Sequence, residues 1–214
     1  MNRLLAAALL AATALCAHAA GIVRVVTKDA SGNPVADAVA YAVALDGTPQ
    51  VHPPSEPVAI VQKDQEFQTY VTPVVVGTRV VFPNKDTVQH HVYSVSPAKK
   101  FEIPLYIGES SASILFDRPG PVTLGCNIHD WMVAYVFVLA TPYFAKTGTD
   151  GVADISGLPQ GRYRLEVWHP RLAAKVEREL VVAESGDTTQ VVSVTLRPDR
   201  RIRRAPDAGG ADYK

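Results

Sequence analysis

GCNIHDWMVAYVFV, residues 125–138, crowds a cysteine, a histidine and a methionine into one short turn and then runs into an apolar stretch. The chain of 214 residues holds two Cys and two Met in all, and Cys16 and Met1 lie among its first twenty residues. The run WMVAYVFVLA that leaves the turn is too short to cross a bilayer, and its β-branched and aromatic content reads as a buried strand. Cys126, His129 and Met132 therefore sit together at the mouth of a buried strand.

The N-terminus decides which sulfur atoms a working protein keeps. Arg3 forms a short positive region, LLAAALLAATALCA an apolar run, and Ala17-His18-Ala19 a small-x-small cleavage site, so residues 1–19 read as a secretory signal. Leu15 before Cys16 is large where a lipoprotein site wants a small side chain. The expected mature chain is secreted or periplasmic and keeps one cysteine, Cys126. A single cysteine forms no internal disulfide in a compartment that permits them, which leaves its thiol for other chemistry.

Charge excludes some partners. Lys and Arg total 21 against 21 Asp and Glu, and loss of Arg3 leaves the balance essentially neutral. No nucleic-acid footprint follows from that balance, and no later apolar stretch is long enough to span a membrane.

Along the chain the pattern is all β. GIVRVVTKDASGNPVADAVAYAVAL gives two apolar runs around the turn signal Ser31-Gly32-Asn33-Pro34. A Pro-rich connector follows, then strands punctuated by Gly77 and Pro83, then SASILFDRPGPVTLGC with a Pro-Gly-Pro turn between two strands. No segment sustains a 3.6-residue period. Many short strands with regular turns predict a β-sandwich or Greek-key barrel.

Soft thiolate and thioether sulfur combined with imidazole nitrogen suit copper, and one Cys, two His and a weak axial Met make a blue-copper site. The turn supplies three of these donors, so the fourth must be a distant histidine: His52, His90, His91 or His169. Of these, His90 and His91 follow an Asn-Lys-Asp turn on an expected strand, and neighbouring strand residues face opposite sides, so only one can point at a metal. Zinc fits less well, since a lone thiolate, two His and a thioether is not among its usual sets. A binuclear copper centre would need two cysteines.

The pair VFPNKDTVQHHVYS and VTLGCNIHDWMVAYVFV resembles the cupredoxin family, the plastocyanin and amicyanin kind of blue-copper protein, over roughly residues 56–142. The C-x-x-H-x-x-M loop is similar to the short amicyanin version, and the whole resembles exported proteins labelled methylamine utilization proteins, a label that establishes no methylamine chemistry. The resemblance implies one mononuclear copper held by His90, Cys126, His129 and Met132, with His91 the alternative first ligand. It also implies that His129 lies nearest the surface as the electron's exit, with Asp130 and Trp131 beside it.

The flanks form a second expected unit. VRVVTKDASGNPVADAVAYAV resembles the opening of a transthyretin-like or carboxypeptidase-regulatory-like β-sandwich, whose continuation stands after the metal loop as TGTDGVADISGLPQGRYRLEVWHP. Residues 21–54 plus 143–198 would then be one discontinuous sandwich with the cupredoxin, 56–142, inserted in it. The rival arrangement makes the N-terminal strands an extension of the cupredoxin, followed by an independent C-terminal domain. The tail, 199–214, is rich in Arg and then in Gly, Ala and Asp; it reads as disordered, with contact to an acidic surface as its functional alternative.

The expected function is thus an exported blue-copper protein that carries single electrons between redox protein partners and is not an enzyme. A copper-trafficking protein and a metal-free β-sandwich interaction module are the alternatives.

Overall fold

The computed structural model describes residues 21–109, 112–183 and 187–200. The expected signal sequence, 1–19, lies outside them, as does the expected tail from residue 201 onward. In chain order the strands are β1 (Gly21–Asp29), β2 (Val39–Ala44), β3 (Val58–Ala59), β4 (Gln62–Lys63), β5 (Glu66–Phe67), β6 (Val71–Val75), β7 (Thr78–Val81), β8 (His90–Ser96) and β9 (Lys99–Tyr106). They continue as β10 (Ile114–Phe116), β11 (Gly120–Gly125), β12 (Val133–Leu139), β13 (Phe144–Lys146), β14 (Val152–Leu158), β15 (Gly161–Trp168), β16 (Val176–Val182) and β17 (Thr188–Val194). The described chain is all β.

Strands from the two ends of the chain pair with one another. β1 runs between β14, antiparallel, and β17, parallel, while a second sheet has the order β13-β2-β15-β16. Alternation along β1 turns Val23 and Val25 inward, and they meet Ala40 and Ala42 of β2, Ile155 of β14 and Leu165 of β15 in one buried cluster. Gly151, at φ +74°, makes the turn before β14; a Cβ there would lie 2.6 Å from the Thr27 carbonyl oxygen, so no other residue fits.

The chain leaves β2 after Ala44 and returns to the same edge. Thr141 Oγ1 donates to the Ala42 carbonyl at 2.7 Å, Ala42 N–H donates to Tyr143 O at 2.9 Å, and Phe144 pairs with Tyr41. Between these points lie a five-stranded sheet, β6-β12-β11-β8-β9, a three-stranded sheet, β10-β7-β3, and the small hairpin β4-β5. Phe82, Phe116, Leu124 and Val136 are fully buried between the two larger sheets. Pro73 and Pro104 fall on β6 and β9, the outer strands of the five-stranded sheet, where a missing N–H breaks no inner ladder.

β12 is apolar throughout because both its faces are covered. Ala134, Val136 and Val138 enter the cluster that also holds Cys126 and Met132, while Phe137 and Leu139 pack with Val39 and Val71. Trp168 of β15 stacks on Phe137 with ring centroids 4.3 Å apart and planes 7° from parallel, and Tyr41 meets the same ring edge-on at 5.5 Å. The strand that leaves the Cys-His-Met turn is therefore gripped from the side of the β1–β2 and β13–β17 strands.

Candidate metal centre

Three donors converge at one end of the five-stranded sheet. Cys126 follows the last residue of β11, His90 opens β8, and His129 lies on the turn between β11 and β12. One ligand atom from each of the three lies within 4.8 Å of the others. His90 Nδ1 is 3.2 Å from His129 Nδ1, which is 3.7 Å from Cys126 Sγ. Two donors each roughly 2.0–2.3 Å from one metal ion stand about 3–4 Å apart, so these separations and the S, N, N donor set fit a copper ion held by Cys126, His90 and His129.

Met132 is buried, packs in the same cluster as Cys126, and its N–H donates to the His129 carbonyl at 2.9 Å, which closes the turn. His91 points elsewhere. Its Nε2 is 2.9 Å from Glu102 Oε1 on β9, and its Nδ1 is buried without a hydrogen-bond partner. His52 is exposed on the connector after β2, and His169 lies beyond β15, where its Nδ1 accepts the Arg171 N–H at 3.1 Å.

The three donors differ in exposure. His90 is fully buried and Cys126 nearly so, whereas His129 is half-buried and flanked by the exposed Ile128 and Asp130. Asn84 Nδ2 donates to Val88 O and to Tyr106 O at 2.9 Å each, which ties the chain just before His90 to the end of β9. The Trp131 ring lies 5.3 Å from that of His129, and its indole N–H donates to Gln65 O at 2.9 Å.

Behind His90 stands Asp86, which the sequence reading did not single out. Its Oδ2 is 2.6 Å from His90 Nε2. Burial pushes the Asp86 carboxyl up, but the hydrogen bond to His90 and those from the Gln65 and Asp64 N–H groups outweigh it and leave the group below the ordinary carboxylate range. Tyr106, paired with His90 across the sheet, donates its hydroxyl to Phe82 O; burial pushes that hydroxyl up to about 12, Gln62 opposes the rise, and Cys126 adds to it. The available signal for Asp86 was a carboxylate four residues before the histidine, on the Asn-Lys-Asp turn.

No family model and no curated protein matches the sequence. Among solved structures the chain is similar to a Cu-containing nitrite reductase from Thermus scotoductus SA-01, at 24% identity and a TM-score of 0.37 over 46% of this chain and 25% of that one. It is similar also to a purple cupredoxin from Nitrosopumilus maritimus, at 22% identity and a TM-score of 0.34 over 38% of this chain and 99% of that one. A reduced mutant of amicyanin matches at 19% identity and a TM-score of 0.37 over 47% of this chain and 98% of that one. The match spans a quarter of the nitrite reductase's length.

Proposed function

We propose that the chain is an exported type 1 copper protein that passes single electrons between two redox proteins. The observation that carries the reading is the meeting of one ligand atom each from His90, His129 and Cys126 within 4.8 Å of one another, with His129 Nδ1 3.2 Å from His90 Nδ1 and 3.7 Å from Cys126 Sγ. A bound copper ion would supply a one-electron couple between cupric and cuprous states. Cys126 would hold it as thiolate and His90 and His129 as neutral imidazoles, with the buried Met132 as a further, weak sulfur donor. With it the chain would accept one electron from a reduced donor protein and pass it to an oxidised acceptor protein, with no bond of the chain itself made or broken.

The burial of His90, Cys126 and Met132 keeps water from three of the four donors, which suits electron transfer rather than substrate turnover. The half-buried His129 is the exit, and the exposed Ile128 beside it in the turn offers apolar surface against which a redox partner docks. Export rests on the composition of residues 1–19; no helix among the described residues is long and apolar enough to cross a membrane.

In this reading residues 56–142 are a cupredoxin inserted into a transthyretin-like sandwich built from 21–54 and 143–198. The return of the chain to the edge of β2 supports the insertion, since the excursion begins and ends beside Ala42. The functional test is a redox cycle: protein loaded with one copper per chain should take up and release one electron reversibly while retaining the metal. Loss of copper on reduction would favour trafficking, and failure to bind it would favour the metal-free module.

A further inference from the structure

The clearest unassigned arrangement around the site is a hairpin tip that touches both histidines indirectly. Asp86 Oδ1 accepts the Asp64 N–H at 2.6 Å, its Oδ2 accepts the Gln65 N–H at 2.9 Å, and its own N–H donates to Asn84 Oδ1 at 2.9 Å. Asp64 and Gln65 form the two-residue loop between β4 and β5, and both sit in the left-handed region, at φ +57° and +56°. That turn normally asks for Asn-Gly or Asp-Gly, because a side chain such as that of Gln65 is strained there. Asp86 offsets the strain by satisfying both loop N–H groups with a charged acceptor.

The same loop reaches the other side of the site, because Gln65 O accepts the Trp131 indole N–H and Trp131 packs beside His129. The stitching continues at its base, where Gln62 N–H donates to Pro83 O and Lys85 N–H to Gln62 O. His90 is fully buried and the Asp86 side chain only 12% exposed, so the carboxylate acts where water screens it little.

We propose that Asp86, locked by the Asp64–Gln65 loop, is the positioning residue of the metal site: it holds His90 as the Nε2–H tautomer with the Nδ1 lone pair facing Cys126 and His129, and its charge favours the oxidised centre. The inference rests on the copper reading above. A carboxylate as acceptor requires the proton on Nε2, which leaves Nδ1 free to ligate without rearrangement. A negative charge on a buried ligand also stabilises the cupric state, with its greater positive charge, more than the cuprous one.

Two measurements on the full-length chain test this. In the metal-free protein, ¹⁵N NMR should find His90 protonated at Nε2 alone; in Asp86→Ala, His90 should become a tautomer mixture while the dispersion of amide signals stays that of a folded protein. In the copper-loaded protein, Asp86→Asn should shift the balance towards cuprous by about tenfold or more, which is about 59 mV upward for one electron. Glu109→Gln, which removes a charge from an exposed ion pair with Lys85, should shift it far less. An unchanged His90 tautomer in Asp86→Ala, or an Asp86→Asn potential equal to that of Glu109→Gln, would overturn the proposal. Failure of the wild-type chain to bind copper would sink the copper reading instead, and the tautomer measurement would still decide the role of Asp86.

Discussion

Tyr93 of β8 lies directly across the sheet from Gly125, its ring carbons 3.0 and 3.1 Å from where a Cβ on that glycine would stand. Gly125 immediately precedes Cys126, so the ring and the thiolate position share one strand end. Gly125→Ala should push on Tyr93 and cost about 1–3 kcal/mol as overpacking. Tyr93→Ala should remove most of that added cost, so urea denaturation of the two single variants and the double variant should be non-additive. Additive costs would mean that the ring does not confine residue 125.

The two adjacent histidines are not equivalent. His90→Ala removes a donor that faces Cys126 and His129, while His91→Ala removes a ring that faces Glu102. Copper titration should show a large loss of affinity for the first variant and little change for the second. The reverse order would make His91 the ligand.

Met132→Leu separates an axial donor from core filler. Loss of a weak sulfur donor should keep copper and colour but raise the reduction potential, because fewer donors favour the electron-rich cuprous state. As packing alone, the near volume-conserving change would cost under about 1.5 kcal/mol and leave the potential where it was. Electrochemistry and thermal melting on the same sample distinguish the two.

A pH dependence is expected away from the metal, at Glu166 of β15. Burial pushes this carboxyl up, but Arg164, at 2.6 Å, the Tyr41 hydroxyl, at 2.7 Å, and the charge of Lys175 hold it below its ordinary value. A folded-state value below the unfolded one gives stability that is present above the unfolded value, about 4.3, and is lost as pH falls through the folded value. The stability difference between wild type and Glu166→Gln should thus be constant near neutrality and shrink below about pH 4. A difference that persists unchanged into strong acid would remove Glu166 as its source.

The candidate metal site was legible in the sequence because so few residues could compete for it: apart from Cys16 and Met1, Cys126 and Met132 are the only sulfur side chains, and they bracket His129. β12 was legible as a strand, but its double coverage was not, since an unbroken apolar run looks the same whether one partner or two cover it. Phe137 and Trp168, stacked face to face, meet only after β15 is folded beside β2. The β4–β5 hairpin was invisible for a different reason. Its loop is Asp64-Gln65, without the glycine that marks such turns, and both loop N–H groups are satisfied by Asp86 from a distant turn. His90 could be placed on a strand from local pattern, whereas its carboxylate partner required the three-dimensional path of residues 84–90.

The central claim is that Cys126 binds copper as a thiolate beside two imidazoles. Visible absorption of the purified chain loaded with one equivalent of cupric ion tests it most directly, with Cys126→Ser measured alongside. An intense sulfur-to-copper charge-transfer band in the wild type that disappears in Cys126→Ser is the predicted result. A colourless wild-type complex, or a band that survives in Cys126→Ser, would contradict it.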